Sequence, residues 1–358
     1  WTEEESYFFR LSAYQDKLLA YYQQHEEFGA PRTRFNEVIR FVEGGLQDLS
    51  VSRTTFDWGI PVPGNPKHVM YVWVDALTNY LTGVGFPDVD SAQFQKFWPA
   101  DVHVIGKDIS RFHAIYWPAF LLSAGIELPR RVMIHGFLNN NGEKMSKSLG
   151  NVVSPADFVE RYGLDQSRFF FLREVPFGAD GSYSHEAIVG RMNADLANNL
   201  GNLAQRSLSM VAKNLDGRVP ERGGLTEADT TLLDAATALL ENNRDHYSRQ
   251  EFSQALEADW TVLHAANAYF AEQEPWVLRK TDPARMATVL SVTMDVVRRV
   301  ALLVQPVMPD SASSLLDVLG VPAGASRTFA AFDVEVPVGT ALPAPKPIFP
   351  KYEEPVED

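Results

Sequence analysis

Two kinds of hydrophobic pattern alternate along the first part of the chain. Short β-branched and aromatic runs predict buried strands over 68–74, 100–108 and 130–137. Stretches with apolar residues at every third or fourth position predict helices over 5–28, 35–46, 75–85 and 109–125. Strands that alternate with helices predict a parallel α/β sheet, and such sheets bind ligands at the carboxyl ends of their strands.

Local signals predict where several of these elements begin and end. Pro31 stops the first helix, and Gly44 and Gly45 end the second. Asp75 is placed to cap the third helix, because its carboxylate can accept hydrogen bonds from the first turn. Gly106 ends the strand over 100–108, where the absence of a side chain permits a close approach of a ligand.

The pattern changes near residue 185 and becomes helical throughout. Long stretches with helical periodicity cover 185–215, 226–247, 248–280 and 282–309, with short connections between them. This arrangement predicts a helix bundle. After about residue 325 the chain is rich in proline and alanine, which predicts an extended C-terminal tail.

The amino-acid composition excludes several kinds of chemistry and of site. The chain of 358 residues contains no cysteine, so disulfides, cysteine-ligated zinc and thiol catalysis are excluded, and a reducing compartment fits. The sequence contains no apolar run of about eighteen residues, so no membrane span is predicted. The net charge of −14 argues against indiscriminate nucleic-acid binding, although a locally basic face remains compatible with it. The chain starts with tryptophan, so we expect it to begin inside a longer protein.

The segment 141–151, NGEKMSKSLGN, has little apolar surface and is predicted to be a mobile loop. Lys144 and Lys147 lie three positions apart, and Gly142 and Gly150 stand near its ends. Two ammonium groups suit a polyphosphate, because they neutralise charge that builds up during attack at phosphorus. The simpler alternative is a solvated surface loop.

Two helices each carry a regular set of apolar and aromatic residues. In each set the spacing places the side chains along one helix face, and the sets are Trp73, Ala76, Leu77, Tyr80 and Ile109, His113, Trp117. Both helices are predicted to begin at strand ends, so both faces can meet at one pocket. Spacing alone favours two stripes of hydrophobic core.

Several sequence motifs carry a resemblance to a known family. KMSKS at 144–148 resembles the second signature of class I aminoacyl-tRNA synthetases. The strings SRTTFDWGIPVPG, YVWVDALTNYL, VIGKDISRFHAIYWPAFL and HGFLNNNGEKMSKSLGNVVSP are similar to bacterial-type methionyl-tRNA synthetases, and the similarity covers almost the whole chain. The resemblance implies the second half of a Rossmann-like parallel sheet, followed by an all-α anticodon-binding bundle.

The family resemblance also implies a reaction. Its members use ATP with Mg²⁺ to convert L-methionine to methionyl-adenylate and pyrophosphate. They then transfer methionine to tRNA(Met), whose CAU anticodon they recognise. We therefore expect an ATP-dependent, AMP-forming methionine–tRNA ligase that is cytoplasmic and monomeric.

The resemblance implies five regions along the chain. They are the end of a connective insertion with its return helix at 1–30, the second half of the nucleotide-binding domain at 31–140, the KMSKS loop and stem-contact region at 141–190, the anticodon-binding domain at 191–325, and the tail at 326–358.

Site residues follow from the resemblance at matching positions. The catalytic residues are Lys144, Lys147 and Arg53, the last near the pyrophosphate. ATP binding falls to both lysines and to Gly106, Asp108, His135, Gly136 and Phe137, with Asp108 on the ribose and His135–Phe137 against adenine. An ordinary surface ion pair is the alternative for Arg53.

The family's methionine pocket corresponds to the seven residues of the two helix faces, Trp73 to Tyr80 and Ile109 to Trp117. Aromatic walls suit a thioether, because sulfur contacts rings favourably. His113 is expected to donate a hydrogen bond toward the sulfur. Contacts with the anticodon correspond to Asn202, Arg206 and Trp276, whose alternatives are a helix bridge for Asn202 and a core position for Trp276. Nearby basic residues are expected to add positive charge to this face: Arg191, Arg206, Lys213, Arg279, Lys280 and Arg285.

One family motif is missing from the sequence. The first class I signature, H-x-G-H, does not occur, so this chain alone is expected to lack part of the ATP site and to be inactive. Any zinc site would lie outside the chain. A non-catalytic tRNA-binding fragment is therefore an alternative. A synthetase for valine, leucine, isoleucine or cysteine is a further alternative, against which the WVDALTNY and FHAIYW segments and the absence of cysteine argue.

Overall fold

The computed structural model describes residues 4–145 and 150–354. The chain divides into two compact units, 1–137 and 138–358. Each unit has its own hydrophobic core. The predicted order, an α/β part with a parallel sheet and then a helical part, is confirmed.

A parallel sheet of three strands lies at the centre of the first unit. Its order is β2 (Gly29–Ala30), β8 (Val132–His135) and β7 (His103–Gly106). The register places Gly106 beside His135, so the carboxyl ends of β7 and β8 coincide. The two longer strands were predicted from their β-branched runs, and both are confirmed.

The first predicted helix begins later than expected. Residues Phe8–Phe9 form strand β1, which pairs antiparallel with β3 (Leu49–Ser50). A 3₁₀ turn at Leu11–Tyr14 then leads into α1 (Gln15–Gln24). The prediction of a helix over 5–28 was wrong at its start, because backbone pairing with a distant strand outweighs local periodicity.

The run at 68–74 divides between a strand and a helix. Strand β6 (Asn65–Met70) pairs antiparallel with β4 (Ser52–Arg53) and β5 (Pro61–Val62), so it belongs to a separate sheet. Helix α3 (Val72–Thr82) begins within the run. Asp75 lies in its first turn, where its charge suits the helix dipole, and Tyr71 takes the N-cap position that was predicted for Asp75.

The other helices of the first unit pack around the parallel sheet or beside α3. They are α2 (Arg32–Glu43), α4 (Ala92–Phe97) and α5 (Trp117–Ala124). The helix predicted over 109–125 is not regular. A π-helical stretch, Phe112–Tyr116, precedes α5.

The second unit opens with a hairpin. Strand β9 (Leu138–Asn140) pairs antiparallel with β10 (Glu143–Lys144) and parallel with β11 (Gly181–Tyr183). The turn between β9 and β10 has positive φ at Asn141 (50°) and Gly142 (81°), a conformation that favours these residue types. Lys144 therefore lies on a short strand, although the sequence predicted a mobile loop there.

Most of the remainder of the second unit up to Val318 is helical. Its helices are α6 (Pro155–Tyr162), α7 (Leu164–Glu174), α8 (His185–Arg191), α9 (Asn202–Asn214), α10 (Glu227–Ser248), α11 (Phe252–Gln273), α12 (Pro275–Thr281), α13 (Pro283–Leu303) and α14 (Pro309–Val318). A π-helical stretch, Met192–Gly201, joins α8 to α9. Helix α13 is central, because its residues from Thr288 to Leu303 are all buried. The bundle prediction is confirmed.

The bundle contains a helix break near its surface tryptophan Trp276, and the C-terminal tail packs against the bundle. The long helix predicted over 248–280 breaks at Glu274, whose φ of 44° stops α11, and Pro275 starts α12 at its N1 position. The tail runs back over the bundle, where Phe349 is buried and lies against Gly201. None of the helices in 4–145 and 150–354 is long and apolar enough to cross a membrane.

Candidate functional site

The two helix faces predicted from spacing come together in the first unit. The ring of Tyr80 on α3 lies 5.6 Å from the ring of His113 and 6.2 Å from that of Trp117. The ring of Trp73 lies 6.1 Å from that of His113. Trp73 and Tyr80 are half-buried, which leaves part of each ring accessible to a ligand. We call these four residues the aromatic cluster.

The other three predicted pocket residues differ in their surroundings. Leu77 is completely buried in the same hydrophobic core as Trp117, so it packs behind the aromatic cluster and does not line an accessible surface. Ile109 is half-buried, and its carbonyl contacts His113. Ala76 is exposed on the same helix as Tyr80.

His113 uses both of its ring nitrogens. Nδ1 lies 3.1 Å from the Ile109 carbonyl, which can only accept, so Nδ1 carries the proton. Nε2 lies 2.8 Å from Tyr80 Oη and therefore accepts from that hydroxyl. Burial lowers the pKa of His113, so the ring is neutral near pH 7. In this arrangement no N–H of the ring is left for a thioether, which differs from the donation predicted from the sequence.

Sequence reasoning missed two residues beside the cluster. Phe112 stacks on Trp73 with ring centroids 3.8 Å apart. His103 on β7 accepts a hydrogen bond from the Trp117 indole N–H. His103 and Ile105 alternate inward on their strand, a period-2 signal that was available in the sequence. Phe112 gave no such signal, because helical spacing does not anticipate a π-helical turn.

The carboxyl ends of β7 and β8 carry the residues predicted to bind ATP. A Cβ on Gly106 would lie 2.7 Å from Asp108 Oδ1 and 3.7 Å from the His135 ring. A side chain at Gly106 would therefore require the Asp108 carboxylate to move. His135 Nδ1 lies 2.8 Å from the Gly136 carbonyl, to which it donates. The Lys107 ammonium lies 4.5 Å from the centre of the Phe137 ring.

An open cavity of about 410 Å³ borders this strand-end region. Asp108 is exposed at its edge, and both acidic and basic groups line it. The lining residues are Glu37, Val38, Phe41, Lys107, Asp108, Ser110, Arg111, Phe112 and Tyr116. An exposed carboxylate beside a glycine can accept hydrogen bonds from the two hydroxyls of a ribose.

Arg53 is held in place at the end of β4. One guanidinium nitrogen donates to Ser50 Oγ and to the Ser52 carbonyl, each at 2.7 Å. The guanidinium also lies 4.5 Å from the centre of the Tyr71 ring. Arg53 is half-buried, so its remaining donors can reach an anion without a large rearrangement.

Of the two lysines of the KMSKS segment, the structure describes Lys144. Lys144 is exposed on β10, and its carbonyl accepts a hydrogen bond of 3.2 Å from the Asn151 amide. Lys147, together with the rest of 146–149, lies outside the described residues.

The three predicted anticodon residues lie on the surface of the second unit. Asn202 and Arg206 are one turn apart on α9, and both are exposed. The Arg206 guanidinium lies 4.9 Å from the Phe270 ring and 5.5 Å from the Trp276 ring. Trp276 is 38% exposed, so its indole is not a core residue and offers a face for stacking.

Ion pairs reduce the basic charge expected around this surface. Arg191 pairs with Glu174 and Asp195 at 2.7 and 2.9 Å. Arg285 pairs with the fully buried Asp229. Lys213, Arg279 and Lys280 are exposed. The positive charge available to a ligand therefore comes from fewer residues than the sequence suggested.

The family implies Mg²⁺ alongside ATP. Within 4–145 and 150–354, no group of three or more His, Asp or Glu residues is arranged to hold a metal ion.

Comparisons with known proteins match both parts of the chain to the same kind of enzyme. A family model described as class I tRNA synthetases (M) matches residues 1–208. A second model, described as the anticodon binding domain of methionyl tRNA ligase, matches residues 219–358. The chain is 64% identical over 359 residues to the methionine–tRNA ligase of Mycobacterium bovis, covering 99% of this chain and 69% of that protein. It is 62% identical over 354 residues to the methionine–tRNA ligase of Brucella suis, with 99% and 68% covered.

Solved structures give the same result. Methionyl-tRNA synthetase of Mycobacterium tuberculosis in its free state aligns with a TM-score of 0.93 and 62% identity, covering 99% of this chain and 70% of that one. The complex of that synthetase with methionyl-adenylate aligns with a TM-score of 0.93 and 64% identity, covering 98% and 69%. Family models, relatives and structures together show that this chain belongs to the methionyl-tRNA synthetase family of class I aminoacyl-tRNA synthetases.

Proposed function

We propose that this chain carries the methionine pocket, part of the ATP site and the anticodon-binding surface of a methionine–tRNA ligase. One observation carries the proposal: two helix faces that spacing alone could not distinguish from core stripes form an aromatic cluster with accessible ring surface. A relative of 64% identity has been solved with methionyl-adenylate, which supports methionine as the ligand.

The aromatic cluster suits a methionine side chain. The half-buried rings of Trp73 and Tyr80 provide apolar, polarizable walls for a flexible thioether. The Tyr80–His113 hydrogen bond fixes both rings, so a ligand that enters meets little freely rotating polar surface. An apolar pocket separates side chains that differ by one methylene by only about 1–3 kcal/mol. Rejection of leucine and isoleucine therefore depends on how closely these rings fit around sulfur.

ATP is proposed to bind at the ends of β7 and β8. Asp108 accepts from the ribose hydroxyls, Gly106 allows the nucleotide to approach the backbone, and His135 to Phe137 contact adenine. A methionine carboxylate oxygen attacks the α-phosphorus, and the bond to the bridging oxygen breaks to release pyrophosphate. Lys144, Lys147 and Arg53 stabilise the negative charge on the phosphate oxygens and the leaving group.

The second step transfers methionine to tRNA. A hydroxyl of the terminal ribose attacks the adenylate carbonyl, and AMP leaves. In the second unit, an unpaired anticodon base stacks on Trp276, while Asn202 and Arg206 hydrogen-bond base edges or phosphates. We assign the anticodon-binding domain to 191–325, preceded by regions 1–30, 31–140 and 141–190 and followed by the tail 326–358.

ATP–pyrophosphate exchange with the intact protein tests this proposal. With a panel of amino acids at equal concentration, methionine is expected to support exchange at least about 100-fold faster than leucine, isoleucine, valine or cysteine. Exchange with another amino acid as the preferred substrate would indicate a different class I synthetase. Binding of tRNA without exchange for any amino acid would favour the non-catalytic alternative.

A further inference from the structure

His103 occupies the floor of the aromatic cluster and contacts two of its members. The Trp117 indole N–H donates to His103 Nε2 over 3.3 Å. The Tyr80 ring lies over the His103 ring, with centroids 4.2 Å apart and planes 36° apart. His103 itself is only 5% exposed and is the first residue of strand β7, paired in register with Val132 of β8. The contacts therefore join a rigid strand to both walls of the pocket.

The protonation state of His103 follows from these contacts. An indole N–H can only donate, so Nε2 must hold a lone pair, and the proton of the neutral ring lies on Nδ1. Burial, with a smaller effect from the nearby His113 ring, lowers the pKa of His103 to about 4. The ring consequently stays an acceptor for Trp117 at neutral pH.

We propose that His103 is a positioning residue for methionine recognition, which rests on the proposed function above. It fixes the Trp117 indole by a hydrogen bond and the Tyr80 ring by stacking, and Tyr80 in turn fixes His113. A chain of two hydrogen bonds and one ring contact thus sets the width of the pocket. His103 touches no reacting atom, so its loss should affect methionine binding and selectivity more than the chemical step.

The test compares two substitutions of His103 in the intact protein. His103→Leu removes the acceptor and leaves the buried indole N–H unpaired. It is expected to raise KM for methionine about tenfold while KM for ATP changes less than about twofold, the size of effect that one lost neutral hydrogen bond produces. It should also lower the ratio of the ATP–pyrophosphate exchange rate with methionine to the rate with leucine. His103→Gln restores a side-chain acceptor and is expected to recover most of the loss.

Leu121→Ala provides the matched control. Leu121 is 1% exposed in the same core as Trp117 but makes no hydrogen bond to the cluster through its side chain, so its truncation destabilises packing alone. Its methionine KM should stay within about twofold of wild type at a temperature where both variants are folded. Equal methionine KM in His103→Leu and wild type, or equal shifts in His103→Leu and Leu121→Ala, would overturn the inference. Absence of methionine-dependent exchange in the wild type would instead overturn the proposed function.

Discussion

Lys147→Ala is expected to lower the rate of methionyl-adenylate formation by about 100-fold or more, because removal of one group that stabilises transition-state charge has effects of this size. In the proposed site methionine binds through the aromatic cluster of the first unit, so its Kd should change less than about twofold. The rate is measured by ATP–pyrophosphate exchange with the intact protein, and the Kd by calorimetry. The expectation rests on the KMSKS motif, since Lys147 lies outside the described residues.

Two further variants sharpen this prediction. Lys144→Ala, at the other lysine of the motif, is expected to have a smaller effect than Lys147→Ala. Lys96→Ala removes an exposed lysine of α4 that is not assigned to the site, and it should leave exchange unchanged. If Lys147→Ala weakened methionine binding as much as it slowed exchange, misfolding would explain both losses and the assigned role would be contradicted.

Trp276→Ala is expected to lower kcat/KM for tRNA charging by about 10- to 100-fold, because stacking of one base on an aromatic side chain contributes about 1–3 kcal/mol. ATP–pyrophosphate exchange requires no tRNA, so its rate should not change. The indole is 38% exposed and lies beside the Arg206 guanidinium, an arrangement that offers a base both a flat surface and a positive charge. Aminoacylation and exchange are measured on the same preparation.

Val277→Ala is the matched control for this variant. Val277 is 43% exposed on the same short helix, α12, and it offers no ring for stacking. Its substitution should leave charging within about twofold of wild type. A fall in exchange equal to the fall in charging for Trp276→Ala would show that the two activities are not divided between the units as proposed.

The sequence predicted those elements whose pattern reflects burial. Strands β7 and β8 are β-branched runs buried in a parallel sheet, and the bundle helices repeat apolar residues over many turns. Elements set by distant pairing were missed. Their periodicity placed Phe8–Phe9 in a predicted helix, but in the structure these residues form a strand that pairs with β3. The apolar run at 68–74 was predicted as one strand, but it contains the end of strand β6 and the start of helix α3. Periodicity cannot separate these cases in short apolar runs.

The sequence predicted which aromatic side chains of the candidate site share a helix face, but it did not predict the hydrogen bonds between them. The spacing of Trp73 and Tyr80 on one helix placed both on one face, and the structure brings that face to His113. The direction of the His113 hydrogen bonds depends on the position of the Ile109 carbonyl in an irregular helix. His103 was missed because its alternation with Ile105 indicates only that the side chain is buried, and does not indicate the hydrogen bond that its ring accepts from Trp117.

The most direct test of the central claim locates the ligand's own heavy atom. The intact protein is produced with ordinary methionine, so that its own side chains contain no selenium. Its crystals are then soaked with selenomethionine, and anomalous data are collected at the selenium edge. The proposed pocket predicts a single strong peak within about 5 Å of the rings of Trp73, Tyr80 and Trp117, the separation typical of chalcogen–aromatic contacts. A peak elsewhere in the protein, with none beside these rings, would contradict the claim.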